Sequence, residues 1–159
     1  LMGYTSRFLT LTKGTGVINR IFHGYGKFEG EMDGRKNGAL ISMATGKAVA
    51  FAIFNLQARG EMFVTHNDPV YEGMIVGLPP KPGDMIINAM KGKQLTNMRT
   101  QGTDENVVLT PVRQMSIAEQ LSMLNTDEAL EITPKSLRLR KAILNPNDRK
   151  KNEKSGTPL

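Results

Sequence analysis

The stretch GKAVAFAIFNLQARG, residues 46–60, decides the fold class. Read with a period of 3.6, Val49, Ala52, Ile53 and Leu56 fall on one face, and Gly60 stands where a helix C-cap would. Read with a period of two, Val49, Phe51 and Ile53 alternate as in a strand. We read it as a helix, which makes the chain α+β. The segments around it are short and strand-like: GALISM (38–43), EMFVT (61–65), GMIVGL (73–78), DMIIN (84–88) and NVVLTPV (106–112), the last ended by Pro111. PPKPGD (79–84) is a proline-stiffened turn. SIAEQLSML (116–124) has a capping box, Ser116 with Glu119 three residues on, and an apolar face of Ile117, Leu121 and Leu124.

The C-terminal third adds ALEITPKSLRLRKAIL (129–144), two strands about Pro134, then NPNDRKKNEK, a short helix or frayed tail. In the second strand Leu137 and Leu139 face one way, and Ser136, Arg138 and Arg140 the other. At the N-terminus, YTSRFLTLT (4–12) reads as the end of a helix stopped by Gly14 and Gly16, and VINRIFHGY (17–25) as a strand. The glycine-rich, charged stretch 24–38 reads as a linker. Many short strands, two or three helices and no βαβ alternation describe an α+β fold, or a β-rich barrel with a covering helix.

Composition narrows the chemistry. The chain has 159 residues, enough for one domain or one domain and part of another. Without cysteine, disulfides, thiolate catalysis and sulfur-ligated zinc are excluded. His23 and His66 stand too far apart in sequence to suggest a metal site. No apolar run reaches the ~20 residues that span a bilayer, so no membrane partner is expected. ATGKA (44–48) lacks the first glycine and the hydroxyl of a phosphate loop, and no catalytic residue is assigned. The chain starts with Leu1 in an apolar segment, which reads as a piece of a longer protein.

The net charge of +6 is segregated. Residues 103–133 carry Asp104, Glu105, Glu119, Asp127, Glu128 and Glu131 against Arg113 alone. Residues 135–154 carry Lys135, Arg138, Arg140, Lys141, Arg149, Lys150, Lys151 and Lys154 against Asp148 and Glu153. Segregated basic surface attracts polyanions, nucleic acid first. Two places concentrate the candidates. The loop MKGKQLTNMRTQGTDEN (90–106) holds Lys91, Lys93 and Arg99, hinged by Gly92 and Gly102. In it Gln94, Thr96 and Asn97 offer hydrogen bonds to base edges or a 2′-hydroxyl, and Met98 an apolar contact for a base. On the strand, Arg138 and Arg140 are spaced to meet successive phosphates, with Lys141 behind them. The competing reading has the acidic 103–133 segment docking a basic protein partner.

Several segments resemble one family of translational GTPases, TypA/BipA: LTNMR (95–99) followed by GTDE (102–105), NGALIS (37–42), AVAFAIFNLQARG (48–60), VYEGMIVG (70–77) and EITPKSLRLRK (131–141). They occur in family order over nearly the whole chain. GYTSRFLTLTKGTG (3–16) resembles the end of the domain shared with elongation factor G. The resemblance implies three parts: 1–28, the remnant of that ferredoxin-like domain; 29–144, the family's own C-terminal domain; and 145–159, a basic tail. It further implies a cytoplasmic, ribosome-binding module that is itself no enzyme and holds no cofactor, GTP and Mg²⁺ belonging to an N-terminal domain of the parent. Its implied partners are large-subunit ribosomal RNA and the acceptor arm of A-site transfer RNA near the peptidyl transferase centre, met by the loop Lys91 to Glu105. Its implied role is ribosome assembly or stress-responsive translation. The pattern departs from the family at LPPKPGD (78–84), where Lys81 is the basic residue left. An exposed sheet edge in residues 1–28 is expected to invite a dimer.

Overall fold

The computed structural model describes residues 4–27, 35–92 and 108–155. In chain order the elements are α1 (Tyr4–Leu11), β1 (Leu40–Ser42), β2 (Gly46–Lys47), α2 (Ala50–Gln57), β3 (Glu61–Met62), β4 (Pro69–Val70), β5 (Ile75–Leu78), β6 (Met85–Ile87), α3 (Ile117–Ser122), β7 (Glu128–Ile132), β8 (Leu137–Lys141) and α4 (Pro146–Ser155). The deciding stretch is a helix. Its chain is held extended up to Val49, whose amide donates to the Ala89 carbonyl, and the helix begins one residue later. Ala52, Ile53 and Leu56 are its buried face. The cap is Ala58, not Gly60. Gly60 is small for another reason: a Cβ there would stand 2.2 Å from the Leu78 carbonyl oxygen.

The fold is α+β, with small sheets in place of a closed barrel among the described residues. Four strands run in the order β3-β5-β1-β6, antiparallel except for the parallel β1–β6 pair. β2 and β4 pair separately, as do β7 and β8. The four-stranded sheet is covered on both faces, so its central strands are continuously buried rather than alternating. On one side Leu40, Val76 and Ile87 meet Ile53 and Leu56 of α2, with Met62 and Val70. On the other, Ala39, Ile41 and Ile75 meet Leu139 of β8, with Leu130, Met115 and Leu124 packed around them. Burying each large aliphatic side chain contributes roughly 1.5–3 kcal/mol.

The backbone of the β7–β8 hairpin joins this sheet beside Gly73 and Met74. Met74 bridges Arg140, and the Lys141 amide donates to the Gly73 carbonyl at 2.9 Å. Gly73 permits the approach: it sits at φ +83°, and a Cβ would lie 2.7 Å from the Leu144 Cα. α3 carries the anticipated capping box, the Glu119 amide donating to Ser116 Oγ and the Ser116 amide to Glu119 Oε2. Of its anticipated apolar face only Leu124 packs on the core; Ile117 and Leu121 are exposed, and Gln120 is buried.

Two strands read from sequence do not form among the described residues. Residues 15–27 are irregular although VINRIFHGY alternates well, and Val17, Ile21, Phe22 and Tyr25 are exposed. A strand needs a neighbour to take up its backbone hydrogen bonds, and residues 17–27 make none with another described segment. The sheet edge expected in residues 1–28 is therefore absent among the described residues 4–27, although α1 ends as read, with Gly14 at φ +79°. Residues 108–116 are likewise irregular. No helix of the described residues is long and apolar enough to cross a membrane.

Candidate nucleic-acid interface

The hairpin register decides what the basic strand can do. Glu128 stands opposite Lys141, Ala129 opposite Arg140, and Glu131 opposite Arg138. Part of the acidic block, Glu128 and Glu131, is thus set across one ribbon from part of the basic block, Lys141 and Arg138, and these charges neutralise each other. Arg138 Nη1 reaches Glu131 Oε1 at 3.2 Å. Glu131 also accepts from the Tyr71 hydroxyl at 2.5 Å. That bond, helped by Arg138 and Arg140, holds the Glu131 carboxyl below its ordinary range against the opposing effect of burial. Burial and the same bond push the Tyr71 phenol up to about 12. Arg140 donates from Nη1 to its neighbours' carbonyls, Lys141 and Ala142.

Lys141 corrects the sequence reading. It lies on the Leu137–Leu139 face, because side chains two apart on a strand point the same way. The residue is 1% exposed. Its ammonium meets Asp84 Oδ2 at 2.6 Å, Asp127 Oδ2 at 2.7 Å and Glu128 Oε1 at 3.1 Å, one carboxylate for each proton. Burial by itself would lower its pKa; bonds to Asp127 and Asp84, with the Glu128 charge, outweigh that and raise it above the ordinary lysine value. Glu128, fully buried, is also paired with Arg35 at 2.7 Å. Arg35 further donates to the carbonyls of Asn37 and Met123, and Asp84 accepts from the Ala39 amide. This cluster ties five chain segments together. It is a clamp, and Lys141 has no proton left to give a phosphate.

The acidic segment is spent in the same way. Glu119 serves Ser116 and Arg113, whose hydrogen bonds hold its carboxyl below the ordinary range. Asp127, Glu128 and Glu131 are engaged as above, so each described acid of this segment already has a partner within the fold. Asp104 and Glu105 lie outside them.

At the loop the position is different. Lys93, Gln94, Thr96, Asn97, Met98 and Arg99 lie outside the described residues. Lys91, at the root, is described. It is exposed and makes no hydrogen bond or ion pair with any described residue. It is positioned by β6 and the turn after it: the Val49 amide holds the Ala89 carbonyl, and the Asn88 side chain accepts from the Met90 amide. Beside it, across the end of α2, stands Arg59, also exposed and unpaired among the described residues. Sequence reasoning did not single out Arg59; its signal was a cation directly after a helix whose other face is core. The exposed helix α4 adds Lys150 and Lys154 and buries none of its own residues.

A family model for the TypA/BipA C-terminal domain matches residues 37–146. The chain belongs to the TypA/BipA family. Among its curated relatives, the large ribosomal subunit assembly factor BipA of Buchnera aphidicola (subsp. Schizaphis graminum) is 48% identical over 160 residues, covering 100% of this chain and 26% of the relative. The proteins of the same name from Salmonella typhimurium (strain LT2) and Escherichia coli (strain K12) are each 47% identical over 152 residues, covering 95% of this chain and 25% of the relative. The chain thus spans about a quarter of the length of the relatives it matches. The matched segment contains both the clamp residues Asp84, Asp127, Glu128 and Lys141 and the loop with Lys91 at its root.

Proposed function

We propose that this chain is the ribosome-binding module of a translational GTPase, non-catalytic in itself, which reads RNA through the loop rooted at Lys91. The observation that carries the proposal is that the loop's described cation is solvent-facing and uncommitted, in a domain whose relatives are named large ribosomal subunit assembly factors. In this reading Lys91, Lys93 and Arg99 neutralise phosphates, Gln94, Thr96 and Asn97 bond base edges or 2′-hydroxyls, and Met98 lies against a base. The RNA is large-subunit ribosomal RNA and the acceptor arm of A-site transfer RNA near the peptidyl transferase centre, in the cytoplasm. The role is large-subunit assembly or translation under stress, with GTP and Mg²⁺ bound by another domain of the parent protein. Arg138 and Arg140 take a secondary part, each with guanidinium nitrogens not engaged by the hairpin; Lys141 takes none.

Cross-linking from position 98 in the presence of ribosomes tests this. The expected products contain large-subunit ribosomal RNA or a transfer RNA acceptor end; cross-links to ribosomal protein alone would refute the RNA-reading loop.

A further inference from the structure

Next to the loop root the structure holds a groove of about 460 Å³, within the range of small-ligand sites. Its lining is of three kinds. Phe51 and Ile86 give an apolar floor, Asn55 and Asn88 give amides, and Arg59 and Lys91 give cations; no carboxylate lines it. The amides are half-committed in opposite senses. Asn55 donates its Nδ2 to the Phe51 carbonyl, leaving its oxygen as an acceptor. Asn88 accepts from the Met90 amide on its oxygen, leaving its Nδ2 as a donor. Asn55 thus keeps its oxygen and one N–H, and Asn88 both N–H of its Nδ2, so the residues lining the groove offer acceptors and donors to the edge of a nucleobase. Neither cation is paired with a described residue, in contrast to Arg35, Arg113, Arg138 and Lys141, each of which has a carboxylate.

We propose that this groove holds one unstacked nucleotide of a single-stranded RNA, its base over Phe51 and Ile86, its edge between Asn55 and Asn88, and its flanking phosphates at Arg59 and Lys91. The inference rests on the RNA-binding reading above and deepens it. It gives the RNA a built contact beside Lys91, made wholly of described residues. Single-strand recognition combines a basic track with an apolar or aromatic platform, and each element is present here. Every group in it comes from α2 and the residues just after it or from β6 and the residues just after it.

The test uses the 159-residue chain and a fluorescein-labelled single-stranded RNA decamer of mixed sequence, followed by anisotropy at several salt concentrations. Arg59→Ala is expected to lower the salt slope by about 0.7, the value of one single-strand phosphate contact. The double variant Asn55→Ala, Asn88→Ala is expected to weaken binding about tenfold with the slope unchanged, as two neutral hydrogen bonds would. Arg99→Ala serves as the loop control and urea midpoints as the folding control. If Arg99→Ala weakens binding while both groove variants bind as the parent does, the groove is off the RNA path and the inference falls, but the loop reading stands. If Arg99→Ala is also without effect, both fall. If polyglutamate displaces the RNA, Arg59→Ala weakens both ligands alike and the amide variant is silent, the groove is a general polyanion patch and the nucleotide site is overturned.

Discussion

The β7–β8 hairpin and the root of the 90–106 loop are comparably basic in sequence, and the fold treats them in opposite ways. In the hairpin, each of two cations lies opposite a carboxylate one strand away, and a third, Arg140, is turned onto backbone carbonyls. At the loop root, Lys91 and Arg59 project beside apolar and amide groups with no carboxylate between them. The difference teaches that a count of cations does not give their availability. The hairpin's charges hold the molecule together, whereas those at the loop root are exposed and unpaired among the described residues.

The largest expected effect separates the two regions by stability. Lys141→Met leaves Asp84, Asp127 and Glu128 without their shared cation and is expected to lower unfolding free energy by about 3–5 kcal/mol in urea titration. Lys91→Ala is expected to cost less than about 0.5 kcal/mol. Equal costs would erase the distinction. Next comes Gly73→Ala, which places a Cβ against Leu144 at a positive φ and is expected to cost about 2 kcal/mol by loosening the hairpin without touching a charge.

A smaller effect is pH-dependent. The Tyr71 phenol is held protonated to about 12 in the fold, against 10.0 as its ordinary value. The unfolded chain loses that proton first, so stability is full below about pH 10.0 and falls as pH rises toward 12. Lys141, also raised, loses its contribution as pH climbs past its ordinary 10.5. Glu131 is lowered, so its contribution is present above 4.5 and is lost as pH falls through the folded value. Stability measured from pH 8 to 12 is expected to decline, and Tyr71→Phe to flatten part of that decline; a parent with a flat alkaline profile would show that the Tyr71–Glu131 contact does not persist in solution.

Much of this architecture was legible before the structure. The 46–60 helix announced itself through the spacing of Ala52, Ile53 and Leu56, and α3 through Ser116 and Glu119. β7 and β8 followed from two alternating runs about Pro134. Lys141 was misplaced although strand alternation already put it on the Leu139 face; a lysine is so rarely buried unpaired that its three carboxylate partners, contributed from residues 84, 127 and 128, had to be seen together. Register hid the meaning of the charge blocks for a similar reason. Separation along the sequence looked like separation in space, but an antiparallel turn at Pro134 brings Glu128 and Glu131 of one block against Lys141 and Arg138 of the other. The 17–25 segment failed as a strand because alternation states what a strand would bury, not whether a neighbour is there to pair with it. The groove beside Lys91 was beyond reach, since Arg59 and Asn88 meet only when α2 packs over β6.

The most direct test is the salt dependence of binding to purified large ribosomal subunits. The double variant Lys91→Ala, Arg99→Ala is compared with Arg138→Gln, Arg140→Gln. The loop variant is expected to lower the log–log slope by about 1.5, two contacts' worth, and the hairpin variant by less. A hairpin variant that lowers the slope more than the loop variant, or a loop variant that leaves it unchanged, would contradict the assignment of free and committed cations.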